Sequence, residues 1–286
     1  MRVLVLGVTG MLGHDVHKVL SASPALDVWG TLRSSAGLSH FSEKQQERML
    51  SGVDVLDQDA LTAVLARIRP DVVINCVGLI KQLADVNDPL VAVPINALLP
   101  HRLARLCALA GARLIQISTD CVFSGSKGLY VESDASDAED LYGKSKYIGE
   151  LHDQANTITL RTSIIGHELS SNHSLINWFL SQEGSVRGYR KAIFSGLPTV
   201  ELARVICDYV LPTRQLHGLY HVSVDPIDKY SLLKLVAEVY GKDIEIVPDD
   251  CVQIDRSLDS TLFRSATGYT PPTWRELVEK MRESAE

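Results

Sequence analysis

MRVLVLGVTGMLGHDVHKVL, residues 1–20, decides the fold. Arg2–Leu6 is an aliphatic run suited to a buried strand, and the GVTGMLG after it sets Gly7, Gly10 and Gly13 at GxxGxxG spacing. Leu12, Val16, Val19 and Leu20 recur at helical spacing, and residues 26–32 resume a strand, so the segment reads as a βαβ unit. Glycines at its first turn let backbone N–H groups approach a pyrophosphate at the positive end of the helix. A GxxGxxG alone also marks turns without ligands. Placed after a strand and opening a helix, it predicts a dinucleotide site built from Gly7, Thr9, Gly10, Met11, Leu12 and Gly13.

The alternation continues outward from this unit. Strands are expected at 53–55, 72–77, 113–117 and 157–161. Helices are expected from the N-cap Asp57 to Pro70, from about Asn96 to Gly111, and over 142–152. Residues 34–51 read as a polar loop with a short helix. The rhythm breaks over 166–198 and returns as a helix at 200–211 and a strand at 218–224, followed by helices near 231–240 and 273–282. The pattern predicts an α/β, doubly wound parallel sheet with a smaller C-terminal lobe. Residues 1–163 plus 199–224 are expected to form the dinucleotide-binding domain, and 164–198 plus 225–286 a substrate-binding lobe.

Composition narrows the function. The 286 residues are 45% hydrophobic and 22% charged, the range of folded globular chains. With 28 basic and 35 acidic side chains the net charge is −7, and no basic run forms a phosphate-tracking stripe, so nucleic acid is not an expected partner. No apolar stretch approaches the roughly 20 residues of a membrane span, and the first residues enter a strand directly, so a cytoplasmic protein without a membrane partner is expected. Five cysteines without CxxC or Cys/His spacing predict small buried side chains, neither disulfides nor a metal site.

The tip of the second strand chooses the dinucleotide. An acidic residue there would accept from an adenosine ribose, whereas a cation suits a 2′-phosphate. The sequence reads LDVWGTLRSS, with Asp27 at the wrong end and Leu32, Arg33 and Ser34 at the tip, so NADP(H) is favoured over NAD(H). Farther along, Ser118-Thr119-Asp120 ends a strand, and YGKSK places Tyr142 and Lys146 at i, i+4 on one helical face. A neighbouring ammonium is expected to lower the phenol from its reference pKa of about 10 and make Tyr142 an acid or base near neutrality, with the Thr119 hydroxyl on the same substrate oxygen.

These residues resemble the extended short-chain dehydrogenase/reductase superfamily and, within it, dTDP-4-dehydrorhamnose reductase-like (RmlD-like) proteins. The matching stretches are GVTGMLG, VDVLD (53–57), INCVG (74–78), Asn96-Ala97, STDCVFSG (118–125), YGKSKYIGE (142–150), LRTSIIG (160–166), GLPTVELA (196–203) and GLYHVS (218–223). The resemblance implies a Rossmann-type fold and a catalytic trio of Thr119, Tyr142 and Lys146, with Lys146 also on the nicotinamide ribose. It implies Asp54 and Val55 beside the adenine, with Cys76, Val77, Gly78, Asn96 and Ser118 on the cofactor. It places Lys81, Thr119, Val122, Phe123, Ile164 and Thr199 around a nucleotide-linked sugar. Ile164 stands where rhamnose-type reductases carry tryptophan, and VGLIKQLADVNDP replaces an alanine-rich acidic loop and brings in Lys81.

The activity so implied is NADPH-dependent reduction of a nucleotide-activated 4-keto-6-deoxy sugar for cell-surface polysaccharide, by a cytoplasmic oxidoreductase that could form a homodimer. An epimerase or 4,6-dehydratase of the same superfamily is one alternative. A non-catalytic regulatory subunit of the methionine adenosyltransferase partner type is another. His14 and His17 read as solvated or capping residues, and SDASDAED (133–140) as a solvated loop. Trp178, Phe179, Arg187, Tyr189, Arg190 and Lys191 read equally as a diphosphate and base contact or as lobe packing.

Overall fold

In the computed structural model, which describes residues 1–81 and 84–285, β1 (Arg2–Leu6) leads into α1 (Met11–Ser21), β2 (Asp27–Leu32), the one-turn α2 (Glu43–Gln46), β3 (Met49–Ser51), α3 (Gln58–Ile68) and β4 (Val72–Asn75). Then α4 (Pro89–Ala92) passes through a π-helical stretch, Val93–Leu98, into α5 (Leu99–Ala110), followed by β5 (Arg113–Thr119), α6 (Leu141–Ile148) and β6 (Thr157–Thr162). The remainder is β7 (Ile164–Ile165), α7 (Leu175–Ser181), β8 (Ser185–Phe194), β9 (Leu197–Pro198), α8 (Thr199–Val205) and β10 (Gly218–His221), then β11 (Ile227–Asp228), α9 (Lys229–Tyr240), β12 (Glu245–Asp255), α10 (Thr261–Thr267) and α11 (Trp274–Ala285).

Seven strands form one parallel sheet in the order β10-β6-β5-β4-β1-β2-β3. The chain leaves β1 toward β2 and β3 on one side and returns to β4, β5, β6 and β10 on the other, so the strand order reverses between β1 and β4. Ligands of such sheets bind beyond the carboxyl ends of the strands at that reversal. Both faces of β1 are buried. Val3 and Val5 join the core with α1 and α8, while Leu4 and Leu6 join the one under α3 and α5. A second sheet, β11-β8-β12, covers a separate core of Ile176, Phe179, Leu232, Val236, Val278 and Met281.

Local signals held where they were local. Asp57 caps α3, accepting from the N–H groups of Asp59 and Ala60 at 2.9 and 3.1 Å. Other boundaries moved. The strand expected at 53–55 lies at Met49–Ser51, in register with Gly30–Leu32, because Met49 is the residue that fills the core there; Val53 stays buried and its N–H reaches the Leu32 carbonyl at 3.2 Å. The helix expected from Asn96 begins at Pro89 behind the N-cap Asp88, and Pro94 is absorbed by the π-helical stretch, where a missing N–H costs less than in a regular α-helix. The helix expected to reach His152 ends at Ile148. Strands β8 and β12 were not foreseen, since they carry Arg190, Lys191, Pro248, Asp249 and Asp250, and strand preference depends on cross-strand partners that spacing does not reveal.

Candidate active site

Above the carboxyl ends of the sheet strands lies a cavity of about 510 Å³. Thr9–Leu12 of the glycine loop form one part of its wall, Cys76–Lys81 after β4 another, and Ser118–Cys121 at the end of β5 a third. Tyr142 and Lys146 enter from α6, Ile164 from β7, and Phe194 and Lys229 from the smaller sheet and its helix.

The glycine loop suits an anion. Gly7 adopts φ +82°, and a Cβ on Gly13 would sit 2.1 Å from the Gly7 carbonyl oxygen, so neither position tolerates a side chain. Gly10 caps α1 without a side-chain hydrogen bond, and no acidic residue occupies the first turn. The first-turn N–H groups thus present the positive helix end to the cavity, the arrangement a pyrophosphate requires. Arg33 is exposed beyond buried Leu32, and Ser34 caps the Ser35–His40 turn by accepting from the Ala36 N–H. The Val53–Leu32 hydrogen bond sets exposed Asp54 beside that tip, and half-buried Val55 packs on the adjoining core. Asp27 lies at the far end of β2, where hydrogen bonds from Arg48 and Arg2 hold its carboxyl down to about 2.

The turn after residue 34 also settles the two histidines of α1. They lie against Phe41, with ring centroids 5.5 Å away for His14 and 5.6 Å for His17. Burial pushes His17 down to about 4, so the expectation of a solvated side chain fails: the 34–51 insertion covers it.

Thr119 ends β5, its hydroxyl donating to Asp120 Oδ1 and accepting from the Cys121 N–H, both at 3.2 Å. Asp140 caps α6 by accepting from the Gly143 N–H at 2.8 Å and also pairs with Lys81. Gly143 lets this helix dock on the β5 end, since a Cβ there would meet the Cys121 carbonyl oxygen at 2.2 Å. Tyr142 is thereby placed next to Thr119, Asp120 and Cys121. Buried Lys146 donates to the Ile117 carbonyl at 2.8 Å, and burial pushes it down to about 8. Asn96 joins the loop after β4 to α6, accepting from the Leu79 N–H at 3.0 Å and donating to Ser145 Oγ at 3.3 Å. Burial chiefly, with Cys121 and Asp120 adding, raises the Tyr142 phenol above its ordinary value while the Thr119 hydroxyl opposes. The expected lowering by the lysine is corrected accordingly.

A buried network braces this floor. Ser118 Oγ donates to Glu150 Oε1 at 2.6 Å, and Arg161 clamps the same carboxylate at 2.9 and 2.5 Å. Arg161 also donates to His221 Nε2 at 2.9 Å, and burial first, then the guanidinium, pushes that imidazole down to about 4.

Not every expected residue reaches the cavity. Val122 and Phe123 are fully buried in a small cluster with Tyr130 and Leu258, Phe123 stacking on Tyr130 with centroids 4.0 Å apart, so they support the wall from behind. Thr199 is buried against Gly166 with its hydroxyl on Asp15 of α1, and it too misses the lining. Arg187 pairs with Asp249, and Arg190 and Lys191 with Asp250, along the β8–β12 ladder, while Phe179 fills the core beneath; none of them lines the cavity. Spacing gave no sign of Lys229, Phe194 or the polar lining of Glu168, Ser170, Ser171 and His173, because they come from the segments without βα rhythm.

The RmlD substrate binding domain model matches residues 1–286. The chain belongs to this family. A dTDP-4-dehydrorhamnose reductase of Streptomyces griseus is 33% identical over 150 residues, 52% of this chain and 43% of that relative's length. Methionine adenosyltransferase 2 subunit beta of Danio rerio is 29% identical over 253 residues, 84% of this chain and 74% of that one. Among solved structures, the dTDP-4-dehydrorhamnose reductase of Bacillus anthracis in complex with NADP superposes with TM-score 0.80 at 23% identity over 99% of both chains. A hypothetical dTDP-4-dehydrorhamnose reductase from Sulfolobus tokodaii gives 0.78 at 26% identity, covering 96% of this chain and 98% of that one. These RmlD-type neighbours share the α/β fold with the parallel central sheet. Among the described residues no helix is long and apolar enough to cross a membrane.

Proposed function

We propose that this RmlD-family chain is an NADPH-dependent ketoreductase acting on a nucleotide-activated 4-keto-6-deoxy sugar, in the supply of sugars for cell-surface polysaccharide. The observation that carries the reading is the convergence of Thr119, Tyr142 and Lys146 on one cavity whose other end is the uncapped, glycine-built start of α1. The first turn of α1 would hold the pyrophosphate, Arg33 and Ser34 the 2′-phosphate, Asp54 and Val55 the adenine, and Lys146 the nicotinamide ribose. When bound, the dinucleotide supplies the hydride.

The rest of the chemistry belongs to the chain. Its raised pKa keeps Tyr142 protonated at neutral pH, the form a reduction needs, so the phenol can donate to the alkoxide oxygen that develops from the ketone. Thr119, beside that phenol at the end of β5, would orient the substrate oxygen that Tyr142 protonates. Lys146 supplies a buried positive charge one turn away. Ile164 and Lys81 border the sugar, with Val122, Phe123 and Thr199 acting through the residues they support. Residues 1–163 plus 199–224 serve the cofactor and 164–198 plus 225–286 the sugar, in a cytoplasmic enzyme that could form a homodimer.

The test is a panel of nucleotide 4-keto-6-deoxy sugars, generated in place by dehydratases, followed by loss of NADPH absorbance. Turnover with none of them sinks the reading. A second reading has one specific support, the extent of similarity to the Danio rerio subunit. Co-elution with a methionine adenosyltransferase in gel filtration, without NADPH oxidation on the panel, would favour it.

A further inference from the structure

Lys229 is the first residue of α9, and its place is fixed from both sides. Before it, Ile227 and Asp228 pair antiparallel with Phe194 and Ile193 of β8; after it, Ser231 donates its N–H and hydroxyl to the Asp228 carboxylate at 2.9 and 2.6 Å. The side chain crosses the Phe194 ring, with the ammonium 4.3 Å from the centroid, and lines the same cavity as the dinucleotide loop. Asp120 and Cys121 are the charged and polar neighbours that act on it, and among the described residues the ammonium has no hydrogen-bond or ion-pair partner.

Stability does not explain a lysine here. A cation at the amino end of a helix opposes the helix dipole, and a half-buried ammonium without a protein acceptor costs desolvation that a cation–π contact of about 0.5–2 kcal/mol only partly offsets. Burial accordingly pushes Lys229 down to about 8. An apolar side chain would cover Phe194 at less cost. What the position lacks is an acceptor, and the open side of the ammonium is the cavity.

We propose that Lys229 is a substrate-binding residue that donates to an acceptor oxygen on the sugar itself, a ring hydroxyl or an acylamino carbonyl near the reacting carbon. The assignment to the sugar follows from its neighbours, since Lys229 acts on Asp120, which accepts from Thr119, and so faces the reacting end of the cavity. The inference rests on the substrate class proposed above and narrows it to sugars carrying an acceptor where this ammonium points.

The test measures binding without turnover. Calorimetry on wild type, K229M and K229Q uses dTDP-rhamnose and UDP-N-acetylglucosamine as sugar nucleotides and dTDP and UDP as sugar-free controls, with NADPH binding as the measure of intact fold. Loss of a hydrogen bond from a charged donor weakens binding on the order of 10- to 100-fold. The expected result is that loss for a sugar nucleotide, with the matching nucleoside diphosphate and NADPH unchanged. Equal weakening of the nucleoside diphosphate overturns the assignment by moving the partner to the diphosphate. Unchanged sugar-nucleotide binding in both variants overturns it outright while leaving the reductase reading intact, whereas no sugar-nucleotide binding by wild type removes the substrate class and the inference with it.

Discussion

At the scale of single residues, the site separates proton donation from charge. Tyr142→Phe removes only the proton donor, so kcat should fall on the order of 10²–10⁴-fold with the NADPH dissociation constant unchanged; near wild-type turnover would remove the assigned role. Lys146 sets the alkaline limit. Its value near 8 means that the ammonium is lost as pH rises through about 8, while Tyr142, displaced upward, stays protonated over the same range. The rate in sugar nucleotide should therefore decline above pH 8, and Lys146→Arg, which cannot lose its charge there, should abolish that limb even if its overall rate is lower. A limb left in place by the arginine would assign it to another group. The Tyr142-Lys146 pair was legible from spacing alone, because i, i+4 is a property of the helix. The direction of the phenol's shift was not, because it depends on how deeply α6 docks against Cys121 and on the Ile117 carbonyl that accepts the ammonium's hydrogen bond.

Single elements show the same division between local and imported information. The tip of β2 is a local feature: Leu32 turns inward, Arg33 outward, and the only carboxylate of the strand, Asp27, is tied up at the opposite end. Arg33→Ala should reduce the preference for NADPH by about one to two decades and hardly touch NADH kinetics, given roughly 1.5–3 kcal/mol for a hydrogen bond to a charged group. Equal loss with both cofactors would refute the 2′-phosphate contact. Asp57→Ala removes two hydrogen bonds from the start of α3 and should lower stability by about 1 kcal/mol in denaturant titration without changing turnover. By contrast β8 and β12 exist because they pair with each other, Arg190 and Lys191 answering Asp250 across the ladder. Neither stretch reads as a strand without its partner in view.

For the whole molecule, acid is the expected weakness. His17 under the 34–51 insertion and His221 beside Arg161 both have folded values near 4 against 6.5 for a free imidazole. The unfolded chain binds more protons between those values, so their contribution is complete above 6.5 and is lost as pH falls toward 4, at up to about 1.4 kcal/mol per pH unit for each histidine. The thermal midpoint should drop between pH 7 and 5, and His17→Gln should flatten the slope; a flat wild-type profile would show that these imidazoles are not buried neutral. The sequence by itself determined the βα order, the glycine loop, the wrong-ended Asp27 and the tyrosine–lysine face, since each depends on hydrogen bonds or spacings within a few residues. Tertiary structure alone decided which side chains share the cavity. It took Val122, Phe123 and Thr199 into packing and admitted Phe194 and Lys229, because a side chain's surroundings are set by segments many residues away that close-packed cores bring against it.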